Sequence, residues 1–396
     1  MQRRTLLKSL TAAAATSLSG NLWAAPAANN RLLFVFLRGG YDAASLLAPI
    51  ASPYYYQVRP NIALAKPDAA DPKSALALNA DWGLHPALRD SIYPLFKNGQ
   101  AAFVPFAGTE DLSRSHFETQ DSIELGQPLD RKRDYRSGFL NRLATTLNAD
   151  RTSAIAFTDQ LPLIMQGNAQ LPNMALRNLG KPGVDTRQAR LISAMYDGST
   201  LAAPVREGFV VREDVMKGMA GEMEAANRNA ISSKGFELEA RRIARLMKEK
   251  YQIGFVDVGG WDTHVGQGGA SGYLAGRFEE LGRGLAGFAE EMGRDWNNTV
   301  VVVLSEFGRT FRENGNRGTD HGHGSVYWVL GGGVRGGTVR GEQIGLEQKT
   351  LFQNRDYPVL NEYRALFGGL LARMYGLNAG QVEQIFGVAG RDVGLV

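Results

Sequence analysis

The sequence predicts an α/β fold in which a mostly parallel sheet is covered by helices on both faces. Short apolar runs, such as all of residues 32–37 and the "VVVVL" core of residues 298–308, are typical of strands buried on both faces. Between these runs lie segments with apolar residues three and four positions apart, as amphipathic helices have. Strands that alternate with helices along the chain favour a parallel sheet over an antiparallel one.

Six strands are predicted from the apolar runs: residues 32–37, 101–108, 153–159, 251–260, 298–308 and 325–333. Helices are predicted at four segments: residues 85–99, 115–126, 276–295 and 362–376. The second of these begins at a capping Ser115 and ends on Gly126. Residues 186–250 carry helical patterns separated by polar, Gly- and Asn-containing stretches. We predict a helical insertion or lid there, before the fourth strand.

The first 28 residues have the pattern of a secretory signal peptide, with a basic start, a mildly apolar run and small residues before the cleavage region. Arg3 and Arg4, followed by "TLLK", resemble a twin-arginine signal, which an export receptor recognises. An ordinary secretory signal or a membrane anchor is the alternative. The apolar run is too short and too polar to span a membrane. We therefore expect residues 29–396 to form one domain, periplasmic or extracellular, without a stable transmembrane anchor.

The composition limits the chemistry that the chain supports. It contains no cysteine, so disulfides and thiolate ligands are excluded, and a metal would be held by nitrogen and oxygen ligands. Removal of the signal peptide takes away Arg3, Arg4 and Lys8 and no acidic residue, so the formal charge falls from +4 to +1. That balance gives no electrostatic reason to expect nucleic acid as a partner.

Acidic residues and histidines follow several predicted strands, at the edge where open α/β sheets bind their ligands. Three of the five histidines lie in two of these loops, within "GGWDTH" and "GTDHGHG". The residues of this kind at strand ends are Asp42, Asp257, Asp262, His264, Glu306, Asp320, His321 and His323. Imidazole and carboxylate are the usual ligands of zinc and manganese. A structural role is the alternative for any single histidine, but their joint occurrence predicts a metal or polar catalytic centre.

Six sequence blocks carry a family resemblance: "FLRGGYDAASLLAP", "GLHPAL", "SRSHFETQD", "GGWDTH", "SEFGRT" and "GTDHGHG". On these blocks the mature chain resembles the bacterial DUF1501 family, which is named for its lack of known function. That family is similar to a branch of the alkaline phosphatase and sulfatase superfamily. The resemblance implies an alkaline phosphatase-like fold with one or two divalent ions, with zinc or manganese favoured over magnesium or calcium. It also implies a Ser, Thr or formylglycine nucleophile at the start of a helix.

The resemblance further implies a set of ligands. Asp42 matches an aspartate that follows the first strand and reaches toward the metals. Asp262 and His264 match the Asp and His of one metal site, and Asp257 lies where phosphatases keep an additional acidic ligand. Glu306 stands for the aspartate of a strand that ends in Asp-His-Gly in sulfatases.

The sequence also departs from the superfamily pattern. Phe307 stands where a histidine is expected, so one imidazole is absent. His321 or His323 matches the late histidine ligand, and only Asp320, His321 and His323 could replace the missing group. One ion, two differently held ions and a degenerate site without turnover are all open at this point.

Ser115 matches the nucleophile because it begins a helix, whose free amides and dipole favour an anionic ester. Ser113 and Thr119 are the alternatives. His116 and Arg309 are candidates for steadying the oxyanions of the transferred group. The alternatives are packing or capping for His116, capping alone for Ser115, and a salt bridge for Arg309.

We therefore expect an exported, metal-dependent hydrolase that cleaves a phosphate ester through a serine nucleophile. Sulfate is less favoured, because the chain has no cysteine and Ser115 is followed by Phe117 and Thr119, not by the Pro and Arg that a formylglycine precursor requires. A non-catalytic metal-binding or assembly protein that keeps the fold is the alternative. The expected partners are a small-molecule or polysaccharide ester and the twin-arginine export machinery.

Overall fold

The computed structural model of the chain describes residues 30–149, 153–174, 176, 186–210 and 235–396. The predicted signal peptide lies outside the described residues. The strands are β1 Arg31–Leu37, β2 Leu47–Ala48, β3 Leu76–Ala77, β4 Gly83–Leu84, β5 Ala101–Gly108, β6 Ala154–Ala156, β7 Ile253–Val258, β8 Thr299–Ser305, β9 Ser325–Leu330, β10 Thr338–Val339 and β11 Asn361–Glu362.

The α-helices are α1 Ala43–Leu46, α2 Pro53–Val58, α3 Ile92–Lys97, α4 His116–Leu125, α5 Phe139–Thr146, α6 Thr186–Met195, α7 Phe236–Glu249, α8 Tyr273–Met292, α9 Tyr363–Tyr375 and α10 Ala379–Phe386. Residues 202–210 are also helical. Within the described part of the chain, no helix combines the length and the apolarity that a membrane span requires.

Eight strands form the central sheet, in the order β10-β5-β9-β8-β1-β7-β6, with β11 paired to β5. β1 is parallel to both of its neighbours, β7 and β8. β9 is antiparallel to β5 and β8, and the remaining pairings in this sheet are parallel. The predicted mostly parallel sheet is confirmed. β2, β4 and β3 form a second, three-stranded antiparallel sheet, in which β4 is the central strand.

Both faces of the central sheet are buried, and β1 shows why its sequence is apolar throughout. Leu33 and Val35 belong to one core cluster, whereas Phe34 and Phe36 belong to the other. Alternate residues of a strand point to opposite faces, so a strand covered on both sides needs apolar residues at every position. Helices α7 and α8 contribute to the first cluster, and α5, α9 and α10 contribute to the second.

Two predicted elements differ from the observed ones for local reasons. The helix predicted at residues 85–99 is divided into a short 3₁₀ turn and α3. Pro94 falls in the first turn of α3, the part of a helix that tolerates proline, so the longer helix cannot form. The strand predicted at residues 298–308 ends at Ser305, so Glu306 and Phe307 lie in the following loop.

The segment predicted as a helical insertion contains α6, the helical residues 202–210 and α7, while residues 211–234 lie outside the described residues. Phe236 at the start of α7 is buried against Gly284 of α8. A Cβ atom at Gly284 would lie 2.3 Å from the Phe236 ring, so the absence of a side chain allows the two helices to pack closely. By contrast, Leu191 in α6 is 63% exposed. The role of residues 186–250 as an insertion or lid stays a prediction.

We expect Phe236→Ala to lower the free energy of unfolding by about 3–5 kcal/mol, because it removes a buried aromatic ring and leaves a cavity. Urea denaturation of the purified protein measures the change. Leu191→Ala is the control from the same segment, and we expect it to change stability by less than about 0.5 kcal/mol. Equal effects of the two substitutions would contradict the assignment of α7 to the core.

Candidate metal and catalytic site

Four loops meet at one edge of the central sheet. They follow β1, β5 and β7 and connect β8 to β9. Because β9 runs antiparallel to its neighbours, it begins at the edge where the other strands end. These loops and the start of α4 carry most of the residues that the sequence singles out. They bring together seven of them: His116, Asp262, His264, Glu306, Arg309, Asp320 and His321.

His116 begins α4 and is held by Glu306, which lies just beyond β8. The Nδ1 atom of His116 is 2.7 Å from Glu306 Oε1. Burial would raise the pKa of Glu306, but hydrogen bonds from His116 and Gln120 outweigh it and hold that pKa below its usual range. The same bond raises the pKa of His116, so its other nitrogen is a stronger electron-pair donor. That atom, Nε2, is buried and lacks a hydrogen-bond partner among the described residues.

His264 and His321 are held in the same way from two other loops. Nδ1 of His264 is 3.2 Å from Asp320 Oδ1, and Nδ1 of His321 is 3.0 Å from the backbone oxygen of Arg114. Burial would raise the pKa of Asp320, but hydrogen bonds from Asn314 and His264 keep it below its usual range. Both acceptors are therefore oxygens without a proton. Each Nδ1 is assigned as the donor, which leaves a lone pair on each Nε2.

The three Nε2 atoms converge on Asp262. Nε2 of His264 and of His321 lie 2.9 and 3.3 Å from Asp262 Oδ1. Nε2 of His116 lies 3.6 Å from Oδ2, and the Nε2 atoms of His264 and His321 are 3.1 Å apart. Electron-pair donors at these separations repel one another unless a cation lies near them, and the Arg309 guanidinium contacts Asp262 Oδ1 and lies 3.4 Å from His264 Nε2. The ligand atoms of His116, Asp262 and His321 all lie within 4.8 Å of one another, so these three residues could hold a metal ion.

Arg309 fixes the carboxylate at the middle of this cluster. Its side chain is fully buried and donates to Asp262 Oδ1 and to the backbone oxygens of Gly39, Gly40 and Thr319. Burial would raise the pKa of Asp262, but the hydrogen bond and charge of Arg309 lower it. Arg309, which the sequence predicts to bind the oxyanions of the transferred group, thus binds the Asp262 carboxylate and three backbone carbonyl groups.

Asp42 does not join the cluster. It is 1% exposed, and its carboxylate accepts hydrogen bonds from Arg59, Ser45 and Gln267. Burial would raise the pKa of Asp42, but the charge and hydrogen bonds of Arg59 lower it. Asp42, which the sequence predicts as a metal ligand, therefore faces the buried guanidinium of Arg59.

Two further predicted ligands are also directed elsewhere. Arg38 Nε lies 2.7 Å from Asp257 Oδ2, and the same guanidinium lies 2.9 Å from Glu124. The ring of His323 packs on Phe352, with the ring centroids 4.9 Å apart. Burial lowers the pKa of His323 to about 4, so this imidazole is neutral near pH 7.

Ser115 occupies the N-cap position of α4, directly before His116. Its side chain makes no capping hydrogen bond, although capping was one of the two roles open to it from sequence. Ser113 and Thr119, the alternatives for the nucleophile, lie with their hydroxyl oxygens 3.2 Å apart, and Thr119 is fully buried. Ser115 is therefore the hydroxyl that combines a half-buried position, a helix start and adjacency to the histidine cluster.

Phe307 forms the apolar wall between two of the imidazoles. Its ring centroid lies 4.9 Å from that of His116 and 5.0 Å from that of His321. A Cβ atom at Gly40 would lie 2.3 Å from the Phe307 ring, so the ring rests directly on the loop after β1. His116 and His321 thus flank the position where the superfamily pattern has an imidazole.

The family model described as "Protein of unknown function (DUF1501)" matches residues 29–386. The chain belongs to this family. A search of curated proteins finds no match to the sequence of this DUF1501 protein.

Three solved structures are similar to this DUF1501 protein. Lipoteichoic acid synthase LtaP from Listeria monocytogenes has a TM-score of 0.41 and 10% identity, and the match covers 95% of this chain and 78% of that one. Ps i-CgsB in complex with k-i-k-neocarrahexaose has a TM-score of 0.37 and 10% identity, with 92% and 75% covered. A protein in the alkaline phosphatase superfamily from Vibrio parahaemolyticus has a TM-score of 0.36 and 11% identity, with 92% and 69% covered.

Sequence reasoning missed the residues that neutralise or link the acidic groups, because arginine and glutamine at ordinary positions give no local signal. Arg59 lies 17 positions from its partner Asp42. Gln267 donates to Asp42 and accepts from Thr263 and Thr319, so it joins the buried ion pair to two loops of the DUF1501 site. Its position shortly after "GGWDTH" was the available hint.

We expect Arg59→Met to lower the free energy of unfolding at pH 7 by about 3–5 kcal/mol, because it leaves a buried carboxylate unpaired.

The pKa of Asp42 is lowered by folding, so its pairing stabilises the protein above the unfolded pKa of about 3.9. That contribution is lost as the pH falls through the lower folded pKa. Urea denaturation over a series of pH values should therefore show a shallower loss on acidification for Asp42→Asn than for the unmodified protein.

Binding of added zinc to the histidine cluster provides a control for the placement of Asp42. If that cluster binds zinc, Asp42→Asn should weaken the binding much less than His321→Ala does, because the Asp42 carboxylate faces Arg59. An equal loss in the two variants would contradict the placement of Asp42 outside the cluster.

Proposed function

We propose that this DUF1501 protein is a metal-dependent hydrolase of the alkaline phosphatase-like type that cleaves a phosphate ester. The observation that carries the proposal is the convergence of three imidazole Nε2 atoms on the carboxylate of Asp262. Each ring has its Nδ1 atom against an oxygen acceptor, which is the arrangement found around metal-ligating histidines. The blocks "GGWDTH", "SEFGRT" and "GTDHGHG" of the same loops support the superfamily assignment.

The residues that would hold the ion are His116, Asp262, His264 and His321. Three nitrogen ligands and one carboxylate suit zinc, with manganese as the next choice. When bound, a divalent ion would neutralise charge on the transferred group and favour ionisation of a nearby hydroxyl. The outer partners that fix the orientation of these rings are Glu306, Asp320 and the Arg114 carbonyl.

The pairing of the other acidic residues favours one bound divalent ion over two. Asp42 and Asp257, which the superfamily resemblance offers as further ligands, are paired with the guanidinium groups of Arg59 and Arg38. Neither of these carboxylates belongs to the described group of His116, Asp262 and His321, whose ligand atoms all lie within 4.8 Å of one another. We therefore propose a single divalent ion per chain.

Ser115 is our candidate nucleophile. Its hydroxyl oxygen would attack phosphorus as the ester oxygen leaves with the alcohol, and water would then hydrolyse the phosphoserine to free phosphate and serine. The N-terminus of α4, a helix of 10 residues, places backbone amides and the positive end of the helix dipole beside that position.

The substrate we propose is a phosphate ester carried by a small molecule or a polysaccharide. Access is open, since the side chains of Asp262, His264 and Asp320 are 46%, 40% and 51% exposed. An exposed centre can receive an ester group that projects from a larger molecule. Sulfate is disfavoured, because the chain offers no cysteine precursor for formylglycine.

Export through the twin-arginine route is part of the proposal. It is supported by Arg3 and Arg4 ahead of a short apolar run. It fits a protein that folds around its metal ion before it crosses the membrane, with the mature chain acting in the periplasm or outside the cell.

We expect the purified mature protein to contain about one zinc ion per chain and to hydrolyse an aryl phosphate. His321→Ala should weaken zinc binding by more than about 100-fold, because it removes a ligand and not only an outer partner. Ser115→Ala should keep the zinc and lower turnover by at least about 1,000-fold, as loss of a nucleophile does. Elemental analysis, chelator competition and steady-state kinetics measure these quantities.

Two neighbouring substitutions serve as controls for this experiment. His323→Ala removes the other histidine of "GTDHGHG" and should leave zinc affinity within about twofold, since that ring packs on Phe352. Ser113→Ala should retain most of the turnover. Tight zinc binding without hydrolysis of phosphate or sulfate esters, unchanged by Ser115→Ala, would replace the enzyme proposal with the non-catalytic alternative.

We expect the double substitution Arg3→Lys and Arg4→Lys to block export, because the receptor recognises paired arginines and not only positive charge. Cell fractionation and immunoblotting would show the full-length precursor in the cytoplasm. Lys8→Arg keeps both arginines and the same charge, and it should be exported normally. Normal export of the double variant would show that another route is used.

A further inference from the structure

Two described residues with strained backbone lie in the loops that carry the histidine cluster. Six described residues other than glycine have a positive φ: Phe106, Arg114, Asn148, Arg317, Gln353 and Asn354. Arg317 lies in the loop that carries Asp320, and Arg114 lies between Ser113 and Ser115. A side chain in this left-handed region costs free energy that the surrounding structure has to offset, and such residues gather at functional sites. Of these six residues, Arg114 is the one that directly precedes Ser115.

The backbone of Arg114 serves two groups of the proposed site. Its φ of 53° turns the chain immediately before Ser115, so it sets where α4 begins. Its backbone oxygen accepts the hydrogen bond from His321 Nδ1 at 3.0 Å. The conformation of one residue therefore determines both the position of the serine and the orientation of an imidazole.

The side chain of Arg114 is held by the turn formed by residues 352–356. Its Nε and Nη2 atoms lie 3.0 and 2.7 Å from Asp356 Oδ2, and Nη2 lies 2.7 Å from Gln353 Oε1. Asp356 is fully buried, and Gln353 and Asn354 adopt positive φ values of 54° and 56°. The turn is closed by a hydrogen bond from the Phe352 amide to the Asp356 carbonyl at 2.8 Å.

This arrangement links two elements that are distant in sequence. A planar guanidinium that binds a buried carboxylate and an amide oxygen together is fixed in direction as well as in position. The hydrogen bonds to Asp356 and Gln353 thus oppose the tendency of Arg114 to relax to negative φ. Relaxation would rotate its carbonyl away from His321 and shift Ser115.

We propose that Arg114 is a positioning residue, which the residue 352–356 turn holds in a left-handed conformation so that its carbonyl orients His321 and its backbone places Ser115. Arg114 acts through these neighbours and does not itself contact substrate. The part of the proposal that concerns the metal rests on the proposed function, whereas the part that concerns the backbone of residues 113–116 does not.

The test uses the mature protein and three substitutions. Arg114→Ala keeps the strain of a side chain at positive φ but removes the anchor, so it should fold and bind zinc at least about tenfold more weakly, because the carbonyl that orients His321 is displaced. Arg114→Lys keeps the charge and one donor, and should give an intermediate affinity. Gln353→Ala loosens the same anchor from the partner side, so it remains informative if the substitutions at Arg114 fold poorly.

Arg133→Ala is the matched control. Arg133 is 27% exposed in its side chain, compared with 24% for Arg114, and it too pairs with a carboxylate near the start of α4, that of Asp111. It does not share the positive φ of Arg114. We expect Arg133→Ala to leave zinc affinity within about twofold of the unmodified protein.

A second measurement does not depend on the metal. In the metal-free protein, the Ser115 amide bonds to Ser113 Oγ and the Thr119 amide bonds to the Ser115 carbonyl. Both amides should exchange hydrogen at least about tenfold faster in Arg114→Ala but not in Arg133→Ala. If the unmodified protein binds no zinc, the proposed function fails while this measurement still decides the role of Arg114. Wild-type exchange rates at both amides in Arg114→Ala and in Gln353→Ala would overturn the inference.

Discussion

The contact between the guanidinium of Arg309 and the carboxylate of Asp262 is the interaction on which the site depends. Arg309 is fully buried and also donates to carbonyl groups of the loops that follow β1 and precede β9. It therefore joins three loops that leave the sheet at one edge. A permanent cation in this position keeps Asp262 ionised and leaves its oxygens oriented toward the imidazoles.

Around that carboxylate, the outer hydrogen bonds determine what the histidines can do. An imidazole carries one proton when it is neutral, and the acceptor beside Nδ1 decides which nitrogen keeps it. Glu306, Asp320 and the Arg114 carbonyl each accept a hydrogen bond from the Nδ1 atom of one ring, which keeps the proton there. The three remaining lone pairs consequently face a carboxylate, and the proposed metal site rests on this electrostatic arrangement.

The acidic residues at the strand ends fall into two groups by partner. Asp42 and Asp257 form their described ion pairs with guanidinium groups, whereas Glu306 and Asp320 face imidazoles and Asp262 faces imidazoles as well as the Arg309 guanidinium. All five lie at the ends of predicted strands, so the sequence pattern does not distinguish one group from the other. The division reflects which long side chain folds against each one, and it separates acids that support the fold from acids that can serve chemistry.

The sequence by itself determined the sheet and the edge at which the site lies, because an uninterrupted apolar run and a following loop are local features. The runs that became β1 and β8 were predicted, as was the gathering of Asp262, His264 and His321. Only the tertiary structure decided that Asp42 would meet Arg59 and that His116 would enter the cluster. Those contacts join residues whose distance in sequence carries no information about their distance in space, so no local pattern encodes them.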